Sequence, residues 1–227
     1  MSSKRLIVSL VAALVAMAWM GAEAQAQGRG RGFGRTAEGI RMQLLGIDKV
    51  QEALKLTDEQ KPELTKITKA FDEESRSFRA SFQGLSEEER TKKIAERMEK
   101  TKTTWEQCEK ILTSEQVDRV KQISRQARGA NALADEDVIL ALKLSDDQKK
   151  QLETIRDAAG QEMGALFQQQ GLEQEARQKK VAEIQKSSGQ KAMAVLSDEQ
   201  KKEFEKVQGE KVELPEGALF GFGGRRP

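Results

Sequence analysis

The sequence predicts an all-α protein built as two tandem long helical hairpin units with capped helix-corner-helix joints. Three observations predict it. Apolar residues recur every three or four positions through long Lys-, Glu- and Gln-rich stretches. The pentapeptide L-[ST]-x-[DE]-Q occurs four times, and the second half of the chain repeats the first. No run of alternating β-branched residues suggests a strand.

Residues 1–24 have the order of a secretory signal peptide: Lys4 and Arg5, an apolar run from Leu6 to Met20, then small residues. Ala22-Glu23-Ala24 and Ala24-Gln25-Ala26 both fit the cleavage rule, which places the cut near Ala24 or Ala26. The mature chain is then expected in the periplasm or secreted. The apolar run is shorter than the roughly 20 residues a membrane-spanning helix needs, so an uncleaved anchor is the weaker alternative. Residues 25–44 include GRGRGFGR and are expected to form a flexible Gly/Arg-rich segment, as is the Gly/Phe/Arg tail at 213–227. Phe33, Phe220 and Phe222 are candidates for transient client contact.

Between these tails lie two units, 45–128 and 133–212. VQEALKLTDEQKPEL from Val50 aligns with VILALKLSDDQKKQL from Val138, GLSEEERTKKIAE from Gly84 with GLEQEARQKKVAE from Gly171, and ILTSEQ from Ile111 with VLSDEQ from Val195. Each unit reads as a short opening helix, two long helices and a closing helix. In the first, Leu64, Ile67, Phe71, Phe78 and Phe82 stripe one long helix, and Ile94, Met98, Trp105, Cys108 and Leu112 stripe the next. Val117, Val120 and Ile123 stripe the closing helix. Gly84 and Gly171 break the hairpins at equivalent places, and Ser86 with Glu89 restarts a helix. Pro62 sits in the second turn of its helix, where a kink is expected, and Gly160 and Gly164 weaken the equivalent helix of the second unit.

The four pentapeptides read as capping boxes. Thr57 with Gln60, Thr113 with Gln116, Ser145 with Gln148 and Ser197 with Gln200 each have the spacing at which hydroxyl and carboxamide satisfy backbone N–H groups reciprocally. Asp58, Glu59, Asp146, Asp147, Asp198 and Glu199 add negative charge at the positive end of the helix dipole. Leu56, Leu112, Leu144 and Leu196 are expected to tuck into the core where two helices meet.

The chain has no histidine, one cysteine and a formal charge of +2. It carries no phosphate loop, zinc spacing or nucleophile–histidine pair, so no catalytic residue, cofactor or metal is expected and the protein is read as a non-enzyme. Near-neutral charge and export argue against nucleic acid, and signal cleavage argues against the membrane. Cys108 reads as a small buried hydrophobe on its stripe, with an intermolecular disulfide or a reactive thiol as alternatives. Met42, Met98, Met163 and Met193 read as core. Lys92, Lys93 and Arg97 form a locally basic stretch that is either a client surface or a solvated face paired with Glu96 and Glu99.

Paired L-[ST]-x-x-Q motifs flanking a long helical hairpin behind a signal peptide resemble the Spy/CpxP-type family of LTxxQ-motif periplasmic proteins. The first motif of each unit follows LKL, the second follows IL or VL, and the last continues as KKEF. The resemblance implies a cradle-shaped helical fold and an ATP-independent chaperone for unfolded or partly folded proteins. It equally admits an envelope-stress or metal-stress regulator that binds a periplasmic sensor domain; a structural helical spacer is the third reading. Family members commonly pair as dimers of one unit. Two units in one chain can imitate that pair intramolecularly, so a monomer or a homodimer is expected. The chain departs from the family in its near-neutral charge and its lack of histidine.

Overall fold

Among the described residues all regular structure is helical, as the sequence predicts. The computed structural model describes residues 36–81, 84–169 and 171–215. The signal segment, Phe33, Phe82, Phe220 and Phe222 lie outside the described residues. Chain order is α1 (Ala37–Leu45), α2 (Asp48–Ala53), α3 (Gln60–Ala80), α4 (Glu87–Ile111) and α5 (Ser114–Arg128). A 3₁₀ segment (Gly129–Ala134) leads to α6 (Glu136–Ala141), α7 (Asp146–Gln168), α8 (Gln174–Ala194) and α9 (Asp198–Gln208). α3 packs on α4 and α7 on α8.

The expectation of a flexible segment over 25–44 fails at its C-terminal end. Thr36 accepts a hydrogen bond from Gly39 N (3.2 Å) and starts α1. Met42, Leu44 and Leu45 are fully buried, because α1 packs on α3, α4 and α5 and supplies much of the first core. That core joins α1 to Val50, Leu54, Leu56, Leu64, Phe71, Trp105, Cys108, Leu112, Val120 and Ile123. Trp105 lies under the Arg41 guanidinium, 5.5 Å from the ring centroid. Met98 departs from its predicted stripe: it is 50% exposed, near the middle of α4.

The leucines before each first pentapeptide have a second role. α2 and α6 end in Schellman motifs. Lys55 N donates to Glu52 O (2.9 Å) and Leu56 N to Gln51 O (3.1 Å); Lys143 N donates to Leu140 O and Leu144 N to Ile139 O, both at 3.1 Å. Lys55 and Lys143 occupy the left-handed position, with φ of 51° and 50°. Leu54, Leu56, Leu142 and Leu144 on either side are buried. LKL is therefore a helix stop whose two leucines anchor it in the core.

Pro62 produces no break: α3 is continuous from Gln60 to Ala80. Its missing N–H leaves the Asp58 carbonyl without an intrahelical donor. Regular helix accordingly begins at Gln60, whereas α7, with Lys150 at the equivalent place, is regular from Asp146. α7 also runs through Gly160 and Gly164. Gly84 and Gly171 turn the two hairpins at φ of +78° and +76°, a conformation side chains disfavour.

The second core is smaller: Ala132, Leu133, Val138, Leu142, Leu144, Ala192, Leu196 and Phe204. The repeat explains why. Met42–Leu45 of α1 align with Ala130–Leu133, and Trp105 aligns with Gly189. A Cβ on Gly189 would lie 3.8 Å from the Ala130 Cβ. Small residues thus stand where the first half has large ones, and a 3₁₀ segment packs on α8 where α1 packs on α4. The two halves meet where α5 packs on α9. Arg125 donates to Val207 O (2.7 Å) and pairs with Asp137; Arg128 pairs with Asp135 (2.6 Å), both side chains nearly buried.

Replacing Lys143 by Gly relieves the left-handed strain, and denaturant unfolding should show a gain of about 0.5–1 kcal/mol. Lys55→Gly should behave alike; a loss of stability in both would contradict the helix-stop assignment.

Candidate functional site

The four pentapeptides form two clasps. Each is a capping box: Gln60 N donates to Thr57 Oγ1, Gln116 N to Thr113 Oγ1, Gln148 N to Ser145 Oγ and Gln200 N to Ser197 Oγ, all at 3.2 Å. The glutamines also reach each other across the base of their hairpin. Gln60 Nε2 donates to Gln116 Oε1 (2.8 Å) and to Ile111 O (2.8 Å). Gln116 Nε2 donates to Gln60 Oε1 (3.0 Å) and to Leu54 O (3.1 Å). The two Oε1 atoms also accept from Thr57 N (3.0 Å) and Thr113 N (2.9 Å).

The second half repeats the pattern. Gln148 Nε2 donates to Gln200 Oε1 (2.7 Å) and Val195 O (3.0 Å); Gln200 Nε2 donates to Gln148 Oε1 (3.0 Å) and Leu142 O (3.2 Å). Leu54, Ile111, Leu142 and Val195 stand at the ends of α2, α4, α6 and α8, so the carbonyls they offer lack intrahelical donors. Every carboxamide thus uses both N–H groups and both acceptor positions. Nothing of the glutamine remains for a ligand; the pentapeptides close the hairpin bases.

Along the hairpins the halves differ. In the first, Arg97 is interior, its side chain 10% exposed. Its guanidinium stacks on Phe71 (4.5 Å) and Phe78 (5.8 Å), and it bonds Glu74 Oε2 (3.0 Å) and Ser75 Oγ (2.6 Å). Lys100 also pairs with Glu74, and these contacts hold its carboxyl below the usual range. Arg97 therefore clips α3 to α4 with its guanidinium engaged inside the hairpin; of the basic stretch, Lys92 is exposed and Lys93 half-buried.

In the second hairpin Ala159 aligns with Phe71 and Ile184 with Arg97, so the Arg97 clip does not recur at these positions. A shallow groove lies there between α7 and α8, lined among others by Glu162, Leu166, Lys180, Glu183 and Ile184. Leu64 is fully buried under α1, but its counterpart Leu152, with Ile155, Ala159 and Met163, is only half-buried on α7. Phe167 is 48% exposed and Leu140 on α6 69%. Leu152 and Ile155 touch the edge of the second core, so the face is covered only in part; the sequence reading missed this, although the short ANAL in place of MQLL could have signalled it.

Residues 42–124 match the family model for LTXXQ motif family protein. That stretch is an LTXXQ unit. It runs from within α1 to within α5, so it contains the first clasp and the core that α1 completes. Comparison with curated proteins and with solved structures returns no match. The second clasp, in residues 142–200, lies outside the matched stretch and reproduces the first bond for bond.

Among the described residues no group of His, Cys, Asp and Glu is arranged to hold a metal, and no helix is long and apolar enough to cross a membrane. Cys108 is fully buried, and burial first, then the neighbouring Glu109 carboxylate, pushes its thiol up to about 12.

Gln116→Glu isolates the clasp, because glutamate still completes a capping box but cannot donate. It should cost about 2 kcal/mol near neutral pH, read by denaturant unfolding. The new carboxylate faces Leu54 O and Gln60 Oε1, which raises its folded-state pKa above the unfolded value. Stability should therefore be recovered below about pH 4 and lost as pH rises through the folded pKa. For Cys108, an aromatic disulfide reagent at pH 8 should react only at the rate of unfolding; prompt labelling of the native protein would contradict the burial.

Proposed function

We propose that this is an exported, ATP-independent helical binding protein of the Spy type, which shields unfolded or aggregation-prone segments in the periplasm. One observation carries the reading. The α7 face has the apolar pattern that is buried in the first core on α3, yet it is left half-open on a clasped hairpin. Leu152, Ile155, Ala159 and Met163 form a strip along α7, with Phe167 beyond it. Charged residues flank the strip on both helices, which suits weak and reversible contact with varied apolar segments.

The LTXXQ match over the first half and the signal-like start of the chain support export and the periplasm. No bond-making step belongs to this reading: the polar groups of both clasps are saturated, and the open face offers apolar surface.

The test is dilution of a chemically denatured reporter enzyme into buffer without ATP. Light scattering should fall at near-equimolar protein, and Ile155→Asp should weaken protection several-fold with unchanged helix content. No protection at several-fold molar excess would remove the proposal. Capture of a single tight partner, with no protection, would favour a sensor-binding regulator.

A further inference from the structure

After α9 the chain turns back as an extended strap, residues 209–214, across the first half. Gly209 begins it at φ of +65°, and a Cβ there would run into the Gln122 amide. The positive φ is what favours glycine here; the Gln122 amide is the end of a flexible side chain and could swing aside. Gln126 of α5 then holds the main chain. Its Nε2 donates to Gln208 O (2.6 Å) and Glu210 O (2.7 Å), and its Oε1 accepts from Val212 N (2.9 Å). Val212 and Leu214 pack against the first core, while Lys211 and Glu213 are exposed.

This is how an extended peptide is recognised at a sheet edge: main-chain hydrogen bonds plus apolar contacts to alternate side chains. Here one carboxamide supplies the backbone contacts that a neighbouring strand would. Those bonds are blind to the strap's side chains. Beyond the turn at Gly209, the sequence requirement is two apolar residues two positions apart, Val212 and Leu214.

We propose that the bed of the strap, Gln126 with the apolar surface beneath Val212 and Leu214, is a binding site for extended peptide segments with apolar residues at i and i+2. Residues 209–214 are its resident, displaceable occupant. A single side chain makes the strap's polar contacts, and Val212 and Leu214 are themselves only half-buried. An incoming segment competes with the strap, so its apparent affinity is reduced by the fraction of molecules in which the strap is open. The site lies on α5 and the first core, apart from the α7 face, and does not depend on what that face binds.

The test uses the full chain and fluorescence anisotropy of a labelled EKVELP peptide, with EKDEDP as control. Val212→Asp/Leu214→Asp releases the strap and should bind EKVELP about tenfold more tightly than the unaltered chain. Gly209→Val, which obstructs the strap without touching the bed, should do the same, and far-UV circular dichroism should show unchanged helix content in both. Adding Gln126→Ala to the double variant should abolish binding. Equal binding by the unaltered chain and both released variants, absence of EKVELP binding throughout, or binding that survives Gln126→Ala overturns the proposal. Peptide binding without protection from aggregation would keep this site and remove the proposed function; protection without peptide binding would do the reverse.

Discussion

The reciprocal pair of glutamine carboxamides at each hairpin base is the interaction on which the rest of the structure depends. A helical hairpin more than twenty residues long with a thin apolar stripe cannot fix its own register by burial alone. The clasp fixes it at one end. Four helix termini converge there, two needing donors and two needing acceptors, and a pair of amides satisfies them together. Because these bonds are partly buried, breaking one leaves unpaired groups at several helix ends at once. The distal halves of α3, α4, α7 and α8 can then remain exposed and still be held in place.

The internal repeat provides two such frames, and packing makes them unequal. The first has Trp105, Arg41 and a full helix over its inner face, and Arg97 between two phenylalanines to tie its long helices together. In the second, Gly189 and Ala130 bring the covering segment close, and Ala159 and Ile184 replace the clip. The same frame yields a filled hairpin and an open one. That difference arises from side-chain volume at a few positions, since both clasps have the same hydrogen-bond pattern.

Helix class and capping were legible because each capping box lies within one turn, where spacing along the chain is spacing in space. The pairing between boxes was not, since the partner of Gln60 lies a whole hairpin away. One signal did exist: all four copies carry Gln where Glu would cap as well, and only Gln can also donate. α1 escaped because GRGRGFGR precedes it, although Thr36 and the apolar IRMQLL mark a capped helix. Arg97 looked like its neighbours Lys92 and Lys93 in composition, and only the position of Phe71 and Phe78 on the opposing helix makes it interior. Met98 followed the periodicity of its stripe, but periodicity does not say which positions of a stripe are covered.

The carbonyls at the end of α9 are satisfied from outside their own half, by Arg125 and Gln126 of α5. This gives the chain a direction. The first half can complete its clasp and the buried part of its core as soon as α5 has emerged; Val212 and Leu214 are added to that core afterwards. The second half finds the cap for its last helix on a surface already built. Chain order therefore matters in a way that a simple repeat would not impose, and a molecule assembled with its halves exchanged would leave the last helix frayed.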